Sequence, residues 1–166
     1  GDYPQWRINR FEGSWTDFEQ GKLRHTGDMF DLALNGNGFF AVRTPQGVQY
    51  TRNGTLSKSQ DGVLVTPLGY PVLDVNGAQV VIPEEFDVPI VDGAGTVRVR
   101  DDQLGEDQLL AQLQVVDFPE LRDPVAKAQT PYQPPLRKSR DGLFIPHPAT
   151  PRLPAQNAEV VQGWLE

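Results

Sequence analysis

The stretch that decides the fold is residues 30–73, which read FDLALNGNGFFAVRTPQGVQYTRNGTLSKSQDGVLVTPLGYPVL. Short segments of β-branched and aromatic residues alternate in it with glycine turns, which recur roughly every seven to eleven residues. Because a helix does not fit between turns this close, the stretch predicts an antiparallel β-meander. Asn-Gly and Asp-Gly pairs suit such turns, since they accept positive φ angles at little steric cost. The turns are expected at Asn35-Gly36-Asn37-Gly38, Gln46-Gly47, Asn53-Gly54, Asp61-Gly62 and Leu68-Gly69.

Length and composition limit the classes of protein that this chain can be. Its 166 residues are enough for one well-buried core. The net charge of −7, with no long run of lysine or arginine, argues against a nucleic-acid partner. The absence of cysteine excludes disulfides and thiolate metal sites. No apolar run approaches the ~20 residues of a membrane span and no signal-peptide pattern opens the chain, so we expect no membrane insertion.

The chain as a whole predicts an all-β fold, a single module of short antiparallel strands that is partly barrel-like or sandwich-like. Residues 1–28 are expected to form an irregular, extended arm that packs on the core, with a short strand near Ile8–Phe11. Residues 29–166 then make up the β-rich core module, which includes a Pro-rich loop at 119–159. Within that loop, Leu143–Ile145 is predicted to return to the sheet as a short strand. Further strands are predicted at Gln79–Ile82, Val88–Val91, Thr96–Arg100, Leu109–Phe118 and Val160–Leu165.

Residues that could carry catalysis or bind a metal form no recognisable pattern. The two histidines, His25 and His147, lie far apart, and no HExxH-like spacing supports a zinc site. The serines lack a nucleophile-elbow context, and no acidic pair has the ligand ladder of a calcium loop or the marks of a glycosidase pair. The glycines lie in hairpins and open no helix, so they form no phosphate cradle. We therefore expect no enzyme activity, no cofactor and no catalytic or metal-binding residue.

An alternative function comes from the aromatic residues near the N-terminus. Trp6 and Trp15, together with acidic side chains, are compatible with a polysaccharide-binding β-sandwich module or a fragment of a glycan hydrolase, because aromatic faces suit pyranose rings. Packing of the arm on the core is the simpler explanation of the same residues.

Several motifs occur in an order that resembles the core of the flagellar basal-body rod and hook proteins. One turn pattern alone would be common, but the ordered set extends from Gly21 to the last residue. The motifs are Gly21-Lys22-Leu23-Arg24-His25-Thr26-Gly27, Asp31-Leu32-Ala33-Leu34, Asn35-Gly36-Asn37-Gly38-Phe39-Phe40, Tyr50-Thr51-Arg52-Asn53-Gly54, Gly62-Val63-Leu64-Val65-Thr66, Gly69-Tyr70-Pro71-Val72 and Val161-Gln162-Gly163-Trp164-Leu165-Glu166.

The resemblance implies a structural subunit of the bacterial flagellar basal-body rod, the axial drive shaft that transmits torque. Such subunits leave the cell through the flagellar type III export apparatus and polymerise in the periplasmic space with other rod subunits and neighbouring axial proteins. Hook subunits usually insert further domains into the same core, so the short spacing here favours the rod. The form of the Tyr50–Gly54 motif favours the proximal rod over the distal rod.

The family's terminal helices line the inner tube of the axial structure, and the β-rich module lies outside them. The N-terminal Ala-Asn-Asn-Leu-Ala motif and the heptad-like C-terminal helix of the family are absent from this sequence. The resemblance therefore implies a core module without its terminal helices, and we expect this isolated module to be a monomer.

The motif residues are expected to shape the backbone and to bind nothing. Five glycines of these turns, Gly36, Gly38, Gly54, Gly62 and Gly69, should hold special backbone geometry. Phe39 and Phe40 should point to opposite faces of one strand, so that at most one of them is fully buried. The full set of structural residues is Gly36, Gly38, Phe39, Phe40, Thr51, Arg52, Asn53, Gly54, Gly62, Gly69 and Gly163.

Overall fold

The computed structural model describes residues 20–166, so the strand predicted near Ile8–Phe11 and most of the predicted arm lie outside the described residues. The described residues form short strands, a 3₁₀ turn at Pro119–Arg122 and a single-turn helix, α1, at Pro124–Lys127. The predicted all-β fold class is confirmed. Within residues 20–166, no helix has the length and apolar character needed to cross a bilayer.

In chain order the strands are β1 (Arg24–His25), β2 (Leu32–Gly36), β3 (Phe39–Thr44), β4 (Gly47–Thr51), β5 (Ser57–Lys58), β6 (Leu64–Val65), β7 (Ile90–Val91), β8 (Thr96–Asp101), β9 (Glu106–Gln112), β10 (Val115–Asp117), β11 (Leu136–Lys138), β12 (Phe144–Pro146), β13 (Leu153–Pro154), β14 (Ala158–Gln162) and β15 (Trp164–Leu165).

The largest sheet has six antiparallel strands in the order β11-β12-β4-β3-β10-β13. At its centre is the β3–β4 hairpin, in which Phe40 lies opposite Thr51 and Thr44 opposite Gly47. Every other strand of this sheet comes from residues 115–154, far along the chain. The meander in the opening stretch therefore supplies the middle of the sheet, and distant segments extend it on both sides.

Four smaller sheets complete the fold: β1 with β15, β2 with β14, β5 with β6, and a three-stranded sheet in the order β7-β8-β9. Isolated bridges join the sheets, among them Val42 to Val72 and Asp74 to Leu113. Two predicted strands are shorter than expected. Residues 79–82 make only single bridges before Pro83, and residues 88–91 form a ladder only after Pro89. Pro89 has no amide hydrogen, which limits the ladder at that place. In the other segment, Gln79 bridges to Leu73 and Val81 to Val63, so two different partners leave only single bridges.

Both faces of β3 are covered by core residues. The prediction that at most one of Phe39 and Phe40 is fully buried is wrong, because their side chains are 2% and 1% exposed. Phe40 belongs to the larger hydrophobic cluster, and Phe39 belongs to a second cluster. The rings of Phe118 and Phe144 pack edge-on against Phe39, with centroids 5.6 and 5.8 Å away. A strand with a cluster on each side buries alternate residues on both faces.

The proline-rich segment at 119–159 takes part in the large sheet. The short strand predicted at Leu143–Ile145 is present as β12, which pairs with β4 through Phe144 and Tyr50. The segment also supplies β11 and β13, which are the two edge strands. Prolines lie at the end of β12 and within the edge strand β13. These are positions where a missing amide hydrogen disturbs few ladder bonds.

Candidate functional site

Arg52 is the centre of the most densely hydrogen-bonded part of the described chain. It follows β4 directly, and its side chain is only 14% exposed. Its guanidinium group reaches under the loop that joins β2 to β3. There it donates to three backbone carbonyl oxygens, those of Leu34 at 3.2 Å, Gly36 at 2.7 Å and Gly38 at 2.8 Å. The planar guanidinium fits this task because it has five N–H donors in a fixed fork.

The same guanidinium also binds residues from both ends of the described chain. Arg52 makes a two-point ion pair with Glu166, with nitrogen–oxygen distances of 2.7 and 3.1 Å. The Gln20 side chain accepts from Arg52 at 3.1 Å and from the Gly36 amide at 2.8 Å, and it donates to Glu166 at 2.6 Å. The Gly21 amide also donates to Glu166, at 2.9 Å. We call Gln20, Gly21, Gly36, Arg52 and Glu166 the Arg52 junction.

The electrostatics of the junction favour a charged Glu166. Burial alone would raise the pKa of this carboxyl group. The hydrogen bonds from Arg52, the Gly21 amide and Gln20, together with the positive charge of Arg52, outweigh burial and hold the pKa of Glu166 below its ordinary value. Glu166 is therefore ionised at neutral pH.

Two strands continue the connection between the chain ends. β1 pairs with β15, so that Arg24 lies opposite Leu165 and His25 opposite Trp164. The Trp164 ring also packs edge-on against the His25 ring, 5.1 Å between centroids. Gly163 precedes β15 at a φ of +84°, and its carbonyl oxygen accepts from the amides of residues 26 and 27 at 2.9 and 3.0 Å. The N-side and C-side segments of the described chain thus lie next to each other.

Gly54 allows the turn after Arg52 to lie directly on β2. Its carbonyl oxygen accepts from the Leu32 amide at 3.0 Å. A Cβ atom built on Gly54 would lie 1.6 Å from the Leu32 carbonyl oxygen. Gly36 is similarly restricted, since a Cβ atom there would lie 1.9 Å from the carbonyl oxygen of Asn157. Only glycine fits these two close approaches of backbone to backbone.

The remaining motif residues form turns in different places. The Thr51 hydroxyl accepts from the Asn53 amide at 2.9 Å, and the Asn53 side chain accepts from the Thr55 amide and hydroxyl at 3.0 and 2.8 Å. Gly62 and Gly69 have φ angles of +84° and +86° in turns outside the Arg52 junction. The structure therefore brings Gly36, Gly38, Arg52 and Gly54 together around β2, while Gly62 and Gly69 stay separate.

Histidine and serine residues outside the Arg52 junction make local structural contacts. Among residues 20–166, no three histidine or acidic side chains come close enough to hold a metal ion. His147 accepts the Ala149 amide through Nδ1 at 3.1 Å, within its own turn. The hydroxyls of Ser59 and Ser139 accept backbone amides four residues later. Trp6 and Trp15, the basis of the sugar-binding alternative, lie outside the described residues.

Sequence reasoning selected Arg52, Gly36, Gly38 and Gly163 but missed the partners of Arg52. Gln20 and Glu166 belong to the junction, yet Glu166 lies 114 residues from Arg52. Local pattern carries no information on such a contact. The one indication in the sequence was position: Gln20 adjoins the first motif, which begins at Gly21, and Glu166 ends the last motif. Chemically, the junction fixes three chain segments to one half-buried cation, Arg52.

The sequence of this chain is similar to those of flagellar hook and rod proteins. Residues 33–99 match the family described as flagellar hook protein FlgE/F/G D1 domain. The chain is 31% identical over 150 residues to the flagellar basal-body rod protein FlgF of Caulobacter vibrioides. This aligned region covers 90% of this chain and 54% of that protein. It is 36% identical over 85 residues to FlgF of Mesorhizobium japonicum, and this region covers 51% of this chain and 35% of the relative. It is 37% identical over 93 residues to the flagellar basal-body rod protein FlgG of Bacillus subtilis, covering 56% and 35%. The chain thus spans from about a third to about half of the length of these curated relatives.

Proposed function

Because this chain belongs to the family of flagellar rod and hook proteins, we propose that it is the β-rich module of a structural subunit of the bacterial basal-body rod. In this role it polymerises with other rod subunits and neighbouring axial proteins into the drive shaft that transmits torque. The subunit reaches the basal body through the flagellar export apparatus and works in the periplasmic part of the rod.

The observation that carries the proposal is that both ends of the described chain, residues 20–166, meet at the Arg52 junction. β1 and β15 lie side by side, and Gln20 and Glu166 share one guanidinium. The N-side and C-side segments of the described chain therefore lie at one place on the module. This arrangement suits a subunit whose flanking segments pair with each other in an inner tube while the module lies outside.

The relatives carry names of two rod types, FlgF and FlgG. We therefore propose a role in the rod as a whole, and the preference for the proximal rod rests on the Tyr50–Gly54 motif and on the lack of a long C-terminal connection of the distal type. The division into an arm at 1–28 and a core module at 29–166 belongs to the same proposal. In it, the eleven structural residues named above shape the backbone and bind no ligand.

The proposed subunit is not an enzyme. The Arg52 junction, a cation bound by three carbonyl oxygens and one carboxylate, holds chain segments in place and offers no reacting group. We expect the 166-residue chain to turn over no substrate and to be monomeric at micromolar concentration. Multi-angle light scattering measures the oligomeric state, and a stable defined oligomer at micromolar concentration would contradict the expected monomer.

The function is tested with the full-length gene in its own bacterium. Deleting the gene should stop basal-body assembly at the rod, as seen by electron microscopy of purified basal bodies, and should abolish swimming. Expression of the wild-type protein should restore both. Normal flagella in the deletion strain would overturn the proposal, as would sustained hydrolysis of peptidoglycan by the purified protein.

A further inference from the structure

The β8–β9 hairpin is unusual among the strands of this fold because its outer half is exposed on both faces. The inner half is anchored by Val97 and Val99, which are fully buried. The outer half of β9, residues 106–109, is exposed at every position. Leu104 at the tip is 71% exposed and Leu109 is 64% exposed. A projecting hairpin with two exposed leucines offers apolar contact area that the described chain itself does not cover.

The outer edge of this hairpin is open and acidic. β9 is the last strand of its sheet, so the residues at its outer end pair only with β8. Asp101, Asp102, Glu106 and Asp107 surround the tip. Arg100 pairs with Asp107 at 3.3 Å and with Asp102 at 3.7 Å, which leaves a net negative charge at the tip.

A second open edge carries the opposite charge. β11 is the last strand of the six-stranded sheet, and Arg137 and Lys138 on it are exposed, as is Arg140 in the following turn. Among residues 20–166, none of these three cations forms an ion pair; Lys138 lies 6.0 Å from the centre of the Phe144 ring. The neighbouring Asp141 is engaged by the Tyr70 hydroxyl at 2.7 Å. An unpaired cationic edge strand is a surface that a negatively charged strand can approach.

We infer that the acidic β8–β9 hairpin of one copy docks against the basic β11 edge of a second copy of this chain. The two edges belong to different sheets and do not pair with each other within one chain. An interface between two different patches is head-to-tail, and repetition of such a contact produces an open helical array unless the rotation closes a ring. The inference rests on the proposed function, since a helical shaft needs contacts of this type. Each contact is short and polar, so it is weak in solution and becomes effective when flanking segments hold many copies together.

Cysteine cross-linking tests this contact directly, because the chain contains no cysteine. One population carries Gln108→Cys on β9, and another carries Arg137→Cys on β11. The two are mixed at about 1 mM each, where a contact with a Kd near 1 mM is about 40% occupied, and oxidised briefly. We expect the mixed disulfide dimer to exceed the two symmetric dimers combined, which it would only equal by random collision. It should also exceed by about fivefold the product formed with Val125→Cys, a control position that is 72% exposed and lies on neither edge.

Charge reversal separates docking from random collision. Lys138→Glu with Arg140→Glu, added to the Arg137→Cys population, should lower the mixed product to the control level. Adding Asp102→Lys with Glu106→Lys to the Gln108→Cys population should restore it, because the charges are then exchanged between partners. Unchanged urea midpoints check that the exposed substitutions leave the fold intact.

The inference is overturned if the mixed product equals the Val125→Cys control, if the symmetric Gln108→Cys dimer dominates, or if the exchanged charges do not restore the product. These outcomes leave the proposed function standing when the wild-type gene still restores rods in the deletion strain. Failure of that restoration would instead overturn the proposed function.

Discussion

At the scale of single residues, Arg52 links the backbone of the β2–β3 loop to Glu166 and Gln20. Removing it takes a donor away from three carbonyl oxygens and leaves the Glu166 carboxylate with the Gly21 amide and Gln20 but without its cation. Because hydrogen bonds to charged groups contribute more than neutral ones, we expect Arg52→Ala to lower the free energy of unfolding by about 3 kcal/mol. Arg52→Lys should lose about half as much, since a single ammonium cannot reach all of these acceptors.

Urea unfolding measures this loss, with Arg43→Ala as the matched control. Arg43 makes one hydrogen bond, at 2.8 Å, to the carbonyl oxygen of Gly77 in an exposed position. Its removal should cost about 1 kcal/mol or less. Equal losses for Arg52→Ala and Arg43→Ala would show that the Arg52 junction does not stabilise the module.

Two glycines of the motif should respond differently to alanine. Gly54 touches the backbone of β2, where a Cβ atom would lie 1.6 Å from the Leu32 carbonyl oxygen. Gly69 has a φ of +86° with open space around it. Gly69→Ala should therefore cost about 1 kcal/mol of left-handed strain, and Gly54→Ala should cost about 3 kcal/mol or more because β2 must move. Thermal melts of the two variants measure both losses of stability. A smaller loss for Gly54→Ala than for Gly69→Ala would contradict the close approach of Gly54 to β2.

At the scale of elements, β3 behaves as a central strand buried on both faces. We expect Phe39→Ala and Phe40→Ala each to lower the free energy of unfolding by about 3–5 kcal/mol, because each leaves a cavity in a different cluster. Val48→Ala on the neighbouring strand β4 is the control, since Val48 is 36% exposed and should cost under about 1 kcal/mol. A small loss at either phenylalanine, measured by chemical unfolding, would mean that one face of β3 is open to solvent.

At the scale of the whole molecule, the Glu166 ion pair joins segments from both ends of the described chain, and its contribution depends on pH. The pKa of Glu166 is lower in the folded state than its ordinary value of 4.5, so the unfolded state binds the proton more tightly. The stabilisation is therefore fully present above about pH 4.5 and is lost as the pH falls through the lower folded value. We expect the stability difference between wild type and Glu166→Gln to be largest near neutral pH and to shrink at about pH 3.

Urea midpoints at a series of pH values give that difference. The control is Glu84→Gln, an exposed carboxylate that lies outside the Arg52 junction. A difference between wild type and Glu166→Gln that stays constant from neutral to acid pH would mean that the charge of Glu166 contributes nothing to the link between the chain ends.

The sequence by itself determined the all-β class and the β3–β4 hairpin, and its resemblance to the rod and hook proteins is the reason that Arg52 is among the proposed structural residues. Turns and strand alternation depend on neighbouring residues, because glycine and asparagine set local φ angles and β-branched residues favour extended backbone. The same locality explains why the proline positions predicted an irregular segment at 119–159 but did not reveal that it supplies both edges of the large sheet.

Only the tertiary structure decided which residues Arg52 holds and why both phenylalanines are buried. Glu166 lies 114 residues from Arg52, and Phe118, which covers Phe39, comes from the segment after β10. A contact between such distant residues depends on how the sheets stack and on the path of every segment between them. Alternation in one strand shows that its two faces differ, but whether the second face meets water or another cluster is set by parts of the chain that the strand's own sequence does not describe.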